Sequence, residues 1–430
     1  MKPYYIIDFD STFTQVEALD ELAKISLQGH PDRIAILQEI ANLTNLSMEG
    51  RLSFRESLTR RVHLLHANRM HLEKLVQVLK KRVSGSFKRN RAFFQANSNQ
   101  VLIVSGGFKE FIVPVVEPYF IRKENVYANE FRFDTEGNII GYDELNPLSE
   151  EAGKVKLLKQ LNLEGELFGI GDGYSDFQLK ESGLITQFFA FTENIERKTV
   201  SEKADHVTAS FDEFLYVNHL PMAISYPKNR ILCLIVGDVP AVAKDILKKD
   251  GFSIRVKETL EEKYIKDVGL LLLGANEILE EEKLRLADKL KVIGYLGDSK
   301  GKISKKICSQ KGIVLFDDKK QKKRNAEFIP RRMATFINNG DTAMSRNFPN
   351  LVLPKVTNAH RLLHIHYNVP GVMAEINRVF AEHDINIVSQ FLMTKGEIGY
   401  VVTDVDAKYN EHLLAQLKRI SNTIKFRTIY

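Results

Sequence analysis

Residues 1–14 read MKPYYIIDFDSTFT. The segment YYIIDFD carries the signal of a short buried strand, aromatic and β-branched side chains in an unbroken apolar run that closes in acids. Asp8 and Asp10 follow the apolar run directly, so their carboxylates emerge where the strand ends, the edge at which open α/β sheets place their ligands. Alternate strand residues face opposite ways, but a strand turning into the loop STFT can bring both acids toward one pocket.

Working outward, QVLIVSGG (100–107), ELFGIGDG (166–173) and QFFAFT (187–192) repeat the strand signal, with helical stretches between them. Val16 to Gln95 is helix-like with few strand signals, so this segment reads as a parallel α/β sheet interrupted by a helical insertion. Two of these strand ends carry further chemistry. GIGDGYSD supplies Asp172 and Asp176, and VLIVSGG supplies the Ser105 hydroxyl with Gly106 and Gly107, whose amides can approach a phosphate closely. Lys154 adds a fixed positive charge before a helix. Crowded carboxylates resist joint ionisation unless a cation intervenes, and oxygen donors without His or Cys suit Mg²⁺. Each piece alone is commonly a turn or a helix cap. Their order along one chain is far more specific.

The chain has 430 residues, 44% hydrophobic and 27% charged. At about 150 residues per domain this predicts roughly three domains with real cores and excludes a disordered chain. Pro221 and Pro227 mark a linker after a first domain of residues 1–222, whose helical cap spans about 15–95. A second, smaller α/β unit, expected to be flavodoxin-like, covers 228–350, with strands at RILCLIVG, SIRVKE, VGLLLLG, LKVIGYLG and GIVLF. A third, 355–430, has the β-α-β-β-α-β order of a ferredoxin-like fold.

Cys233 and Cys308 are the only cysteines and lie in no metal-ligand spacing, so neither a disulfide framework nor a zinc site is expected. The N-terminus lacks a signal-peptide core and VGLLLLGA is too short to span a bilayer, which predicts a cytoplasmic protein with no membrane partner. The formal net charge is +6. Lys319 to Arg332 holds seven basic residues against Glu327, an excess of six that equals the whole net charge; adding Asp317 and Asp318 lowers the local excess to four. Without interleaved aromatics this stretch reads as a solvated connector, not a nucleic-acid site.

Taken together, Asp-x-Asp-Ser-Thr, Ser-Gly-Gly, Lys and Gly-Asp-Gly-x-x-Asp resemble the haloacid dehalogenase superfamily, with its Rossmann-like core and helical cap, and within it the phosphoserine phosphatases. SMEGRLSFRESLTRRV (47–62) is similar to that family's substrate-recognition stretch. The resemblance implies that Asp8 is the nucleophile and Asp10 the general acid and base, and that Asp8, Asp10 and Asp172 hold Mg²⁺ with Asp176 beside them. It further implies that Ser105, Gly106 and Lys154 hold the phosphoryl oxygens. Glu17 would receive the substrate ammonium and Arg61 its carboxylate, with Met48 and Phe54 shielding the pocket. Ser175 departs from the larger amide common in relatives; its hydroxyl can still bond substrate or water. The implied activity is Mg²⁺-dependent hydrolysis of O-phospho-L-serine to L-serine, the last step of serine synthesis. A related phosphomonoesterase for another phosphorylated amino acid, or an amino-acid-sensing scaffold, are the alternatives.

The remaining segments resemble 3-phosphoglycerate dehydrogenase, with part of its substrate domain and its regulatory ACT domain. Only about 20 residues stand where that family inserts its nucleotide-binding domain, fewer than the ~30 of a βαβ unit, and no G-x-G-x-x-G follows a strand, so no nicotinamide binding is expected. HIHYNVPGVMAEINRVFAEHDINIVSQ (364–390) is close to the serine-sensing ACT form. That likeness implies that His366, Asn368 and Asn386 bind L-serine as an effector at a domain–domain interface, and that the chain forms a homodimer or higher homo-oligomer.

Overall fold

The computed structural model describes residues 2–48, 51–224, 226–318, 326–354, 359–406 and 411–429. They form two compact units, 1–223 and 224–430. No described helix is long and apolar enough to cross a membrane.

The first unit is built on β1 (Tyr4–Ile7), β2 (Val101–Phe108), β3 (Val126–Asn129), a hairpin of β4 (Phe131–Phe133) and β5 (Ile139–Tyr142), β6 (Leu167–Gly171), β7 (Gln187–Phe191) and β8 (His206–Thr208). Six of these make a parallel sheet in the order β3-β2-β1-β6-β7-β8. β1 lies in the interior, where both faces are covered, which is why its sequence is continuously apolar. Its neighbours β2 and β6 leave in opposite directions, so the order reverses at β1 and opens the crevice in which α/β sheets bind ligands. Six helices between Ala18 and Ala96 form the insertion expected there. The hairpin at 131–142 escapes the sequence reading; Asp134 and Gly137, whose φ is +85°, make its turn.

The second unit contains β9 (Leu232–Val236), β10 (Ser253–Lys257), β11 (Leu270–Leu273), β12 (Val292–Tyr295) and β13 (Val314–Asp317), a parallel sheet in the order β10-β9-β11-β12-β13. This is the flavodoxin-like order. It continues into β14 (His360–Tyr367), β15 (Ile387–Lys395), β16 (Ile398–Val405) and β17 (Thr423–Ile429), an antiparallel sheet in the order β15-β16-β14-β17 with two helices, Val372–Glu382 and Glu411–Arg419. The two sheets share one core. Cys233, Ile235, Leu272 and Val314 pack in the same cluster as Leu363, Tyr400, Val402 and Ile429, with Met333 and Phe336 of the helix Phe328–Asn339 among them. A buried fork joins Arg361 to both carboxylate oxygens of Asp404 at 2.7 and 2.8 Å. Residues 319–325 of the basic stretch lie outside the described residues; beyond them Arg331 pairs with Glu327 and Arg332 with Asp341.

Candidate active site

Three strand ends converge. Asp8 follows β1, Ser105 lies within β2, and Asp172 follows β6. The register of β2 on β3 runs through Ile103 and Val104 and resumes only at Phe108, so Ser105, Gly106 and Gly107 form an irregular stretch of the strand that leaves the ladder with β3. Its geometry is closed by the Gly107 amide, which donates to Ser105 Oγ at 3.0 Å. After β1 the chain turns sharply, with Ser11 at φ +53°, and the turn is held from across the site by the Asn194 amide, which donates to the carbonyls of Ser11 (2.9 Å) and Thr14 (3.2 Å).

Lys154, at the start of the helix Gly153–Leu161, bridges two acids: its Nζ lies 2.7 Å from Asp8 Oδ1 and 2.6 Å from Asp176 Oδ1. Those two contacts outweigh burial and raise its pKa, so the ammonium stays charged. Asp176 caps its own helix through the Gly173 amide and packs so closely on Gly171 that a Cβ there would lie 2.2 Å from its carboxyl carbon. Asp172 accepts from Thr12 Oγ1 at 3.0 Å and pairs with Arg197 at 3.0 Å. Burial, with Asp8 next, pushes Asp172 up to about 7. Asp10 accepts the Ala18 amide at 2.7 Å, and burial followed by the charges of Glu17 and Asp8 holds its pKa well above the usual carboxylate range.

The helical insertion supplies the other wall of a cavity of about 550 Å³. Glu17 accepts from Ser11 Oγ at 2.7 Å, and burial raises its pKa. Arg61, 8% exposed, donates to Thr44 Oγ1 at 3.3 Å, while its Nε is buried without a hydrogen-bond partner. The Phe54 ring lies against Gly106, so close that a Cβ there would sit 2.8 Å from it. Ser175 also lines the cavity. The side chain of Met48, the last residue of the helix Arg33–Met48, lies outside the described residues.

Asp8, Asp172 and Asp176 each offer an oxygen, all within 4.8 Å of one another. Asp8, Asp10, Glu17, Asp172 and Asp176 crowd this region, with Lys154 and Arg197 paired among them. An all-oxygen donor set of this kind fits Mg²⁺.

Nothing in the sequence alone assigns a role to Thr12, Thr44, Asn194 or Arg197. Thr12 stands inside the quoted N-terminal motif; the other three lie in no motif, and only the fold brings them to the site. In the second unit, His366 is buried at the end of β14, its Nδ1 against the Tyr367 carbonyl at 2.7 Å and its Nε2 without a hydrogen-bond partner. Asn368 follows it, exposed, donating to Gly396 O at 3.3 Å. Asn386 stands at the opposite end of the sheet, beside Asp406 at 3.1 Å. His366 pairs with Gly399 of β16, whereas the strand after Asn386 begins its pairing at Val405. One copy of the fold therefore does not bring these three residues together.

Comparison with known proteins agrees with this division of the chain. Residues 6–181 match the haloacid dehalogenase-like hydrolase family, and residues 362–425 match the AHAS small subunit-like ACT domain. Human phosphoserine phosphatase is 29% identical over 211 residues, 48% of this chain and 89% of that protein. The chloroplastic phosphoserine phosphatase of Arabidopsis thaliana is 29% identical over 212 residues, 48% of this chain and 69% of that protein. D-3-phosphoglycerate dehydrogenase of Haemophilus influenzae is 42% identical over 102 residues, 24% of this chain but only 25% of that enzyme. The chain thus carries a haloacid dehalogenase-like hydrolase domain of the phosphatase kind, fused to a dehydrogenase-like fragment and a C-terminal ACT domain.

Proposed function

We propose that the N-terminal site hydrolyses O-phospho-L-serine to L-serine and phosphate with the help of Mg²⁺. The observation that carries this reading is the set of groups lining one cavity: Lys154 and the Ser105–Gly107 segment beside Asp8, and with them Glu17 and Arg61, whose buried Nε has no hydrogen-bond partner. A phosphorylated amino acid presents complementary groups, a phosphate to the first and an ammonium and carboxylate to the second.

In this mechanism the Asp8 carboxylate attacks phosphorus, the phosphorus–oxygen bond to serine breaks, and an aspartyl phosphate forms. Asp10, whose burial favours its protonated form, gives its proton to the departing seryl oxygen. It then takes a proton from the water that attacks the aspartyl phosphate, releasing phosphate and restoring Asp8. Ser105, the Gly106 amide and Lys154 hold the phosphoryl oxygens as charge redistributes. Mg²⁺ bound by Asp8, Asp172, Asp176 and the Asp10 backbone carbonyl would offset repulsion between nucleophile and phosphate. Thr12 and Arg197 orient Asp172 for that role.

We further propose three domains, 1–222, 228–350 and 355–430, in a cytoplasmic enzyme. L-Serine would bind between two ACT copies, His366 and Asn368 from one and Asn386 from the other, so a homodimer is the minimal sensing assembly. Phosphate release from a panel of phosphorylated amino acids, with and without Mg²⁺ and serine, tests the proposal. A preference for another phosphorylated amino acid would redirect the substrate assignment. Turnover and oligomeric state that ignore millimolar serine would remove the regulatory part.

A further inference from the structure

The second unit holds a cavity of about 640 Å³ at the N-terminal edge of its parallel sheet, the edge opposite to the usual ligand crevice. Ile231, Gly269 and Lys291 stand just before β9, β11 and β12, and β17 closes the side with Lys425 and Arg427, two residues apart and so on one face of the strand.

The charges lining this space do not balance. Two carboxylates line it, and each already has an ammonium: Asp267 with Lys289 at 2.6 Å and Asp288 with Lys311 at 2.8 Å. Lys228 is matched by Asp250 at 3.2 Å. Arg230 also lines the space but is exposed; three half-buried cations then remain without a carboxylate among the described residues. Arg427 donates to the carbonyls of Phe336 and Ile337, the latter at 3.3 Å, and Lys425 to the carbonyl of Leu290 at 2.6 Å. Neutral carbonyls solvate these groups without cancelling their charge. Lys291 has neither kind of partner among the described residues; its ammonium lies above Gly269, where a Cβ would be 3.7 Å from it. Burial and mutual repulsion pull Lys291 and Lys425 down to about 8, and burial pulls Arg427 down to about 10. All three are still predominantly protonated near neutral pH. Holding like charges together in a partly dry space is unfavourable unless an anion joins them.

We infer that this cavity is a binding site for a small phosphorylated anion, held by Lys291, Lys425 and Arg427. A phosphoryl group brings up to two negative charges and three acceptor oxygens into one locus, which suits three convergent cations better than a lone carboxylate does. The ligand would tie β17 of the antiparallel sheet to the edge of the parallel one. Nothing in the phosphatase reading requires this site.

Amine acylation of the full-length chain followed by peptide mapping tests it residue by residue, so phosphate bound at the N-terminal site does not confuse the readout. Lysines with lowered pKa react early at mildly alkaline pH. Inorganic phosphate and 2-phosphoglycolate should slow acylation of Lys291 and Lys425 about tenfold at saturation, leaving the exposed Lys300 unchanged. Glycolate, which lacks the phosphoryl group, should protect neither. Lys291→Gln should abolish phosphate protection at Lys425 and leave phosphatase turnover intact. Absence of protection by either phosphorylated probe would overturn the inference, as would equal protection by glycolate.

Discussion

At the C-terminal edge of the six-stranded sheet, β1 ends in Asp8, β2 carries Ser105 out of its ladder and β6 ends in Asp172. At the same edge of the five-stranded sheet, β9, β11 and β12 run into Gly237, Gly274 and Leu296, β10 runs into Glu258, and β13 ends in Asp317. The surroundings of those acids differ as much as their number. Asp317, 1% exposed, accepts from Ser299 Oγ at 2.5 Å and pairs with Arg346 at 2.9 Å, so its charge is fully met within the fold. The acids around Asp8 are crowded on one another, and Asp10, Glu17 and Asp172 are all pushed toward their neutral forms. Asp317 and the acids around Asp8 therefore differ in whether the fold completes their electrostatics. Where it does, a buried charge is architecture; where it does not, the missing partner is a ligand.

The most severe way to break this contrast is at Asp8. Asp8→Asn removes the nucleophile while keeping its shape, and kcat for phosphoserine should fall about 10⁴-fold or more, ~5 kcal/mol in the barrier. Retained turnover would show that the crowding of acids at this edge is not catalytic.

The second test probes burial in the other unit, where the expected signature is stability. His364 is a buried residue of β14, and burial, with the neighbouring His366 ring, holds it down at about 4. The unfolded chain, with an ordinary histidine near 6.5, binds this proton first. The stabilisation from neutral His364 is therefore complete above about pH 6.5 and is lost as pH falls toward 4, up to about 3 kcal/mol. Urea unfolding of the wild type should weaken by that much more than unfolding of His364→Gln over the same range. Parallel pH curves for the two proteins would contradict it.

A finer distinction concerns the cap wall of the phosphatase cavity. Arg61→Lys keeps the charge and loses the planar fork, so kcat/KM for phosphoserine should fall about 100-fold, with little change for a generic aryl phosphate. Equal losses on both substrates would move Arg61 from recognition to scaffolding. The smallest effect is expected at the balanced acid. Asp317→Asn should cost about 1–2 kcal/mol in chemical denaturation and leave phosphate release unchanged.

Much of this contrast is legible in the sequence because it is local. A strand and the acid at its end are neighbours in the chain, so the YYIIDFD and GIGDGYSD segments disclose Asp8, Asp10, Asp172 and Asp176 without any knowledge of packing. Arg197 and Asn194 are not legible in this way, since each belongs to a loop whose composition is ordinary and whose importance comes from what lies across the crevice. The hairpin at 131–142 has strands of only three and four residues, too short for an alternation to show. The joint core of the two sheets in residues 224–430 is also hidden, because β9 and β16 each read as self-sufficient apolar runs. The cationic cavity is the extreme case: Lys291 and Arg427 are far apart in sequence, and neither sits in the basic stretch that dominates the charge count.

Phe54 belongs to the helical insertion, and its ring fills the room that any other residue at 106 would use for its own side chain. The insertion and the Ser105–Gly107 segment thus meet face to face in the wall of the cavity that both line. A side chain at 106 finds room only if the Phe54 ring gives way, so the smallest possible residue at this point is what lets the cap and the sheet share one wall.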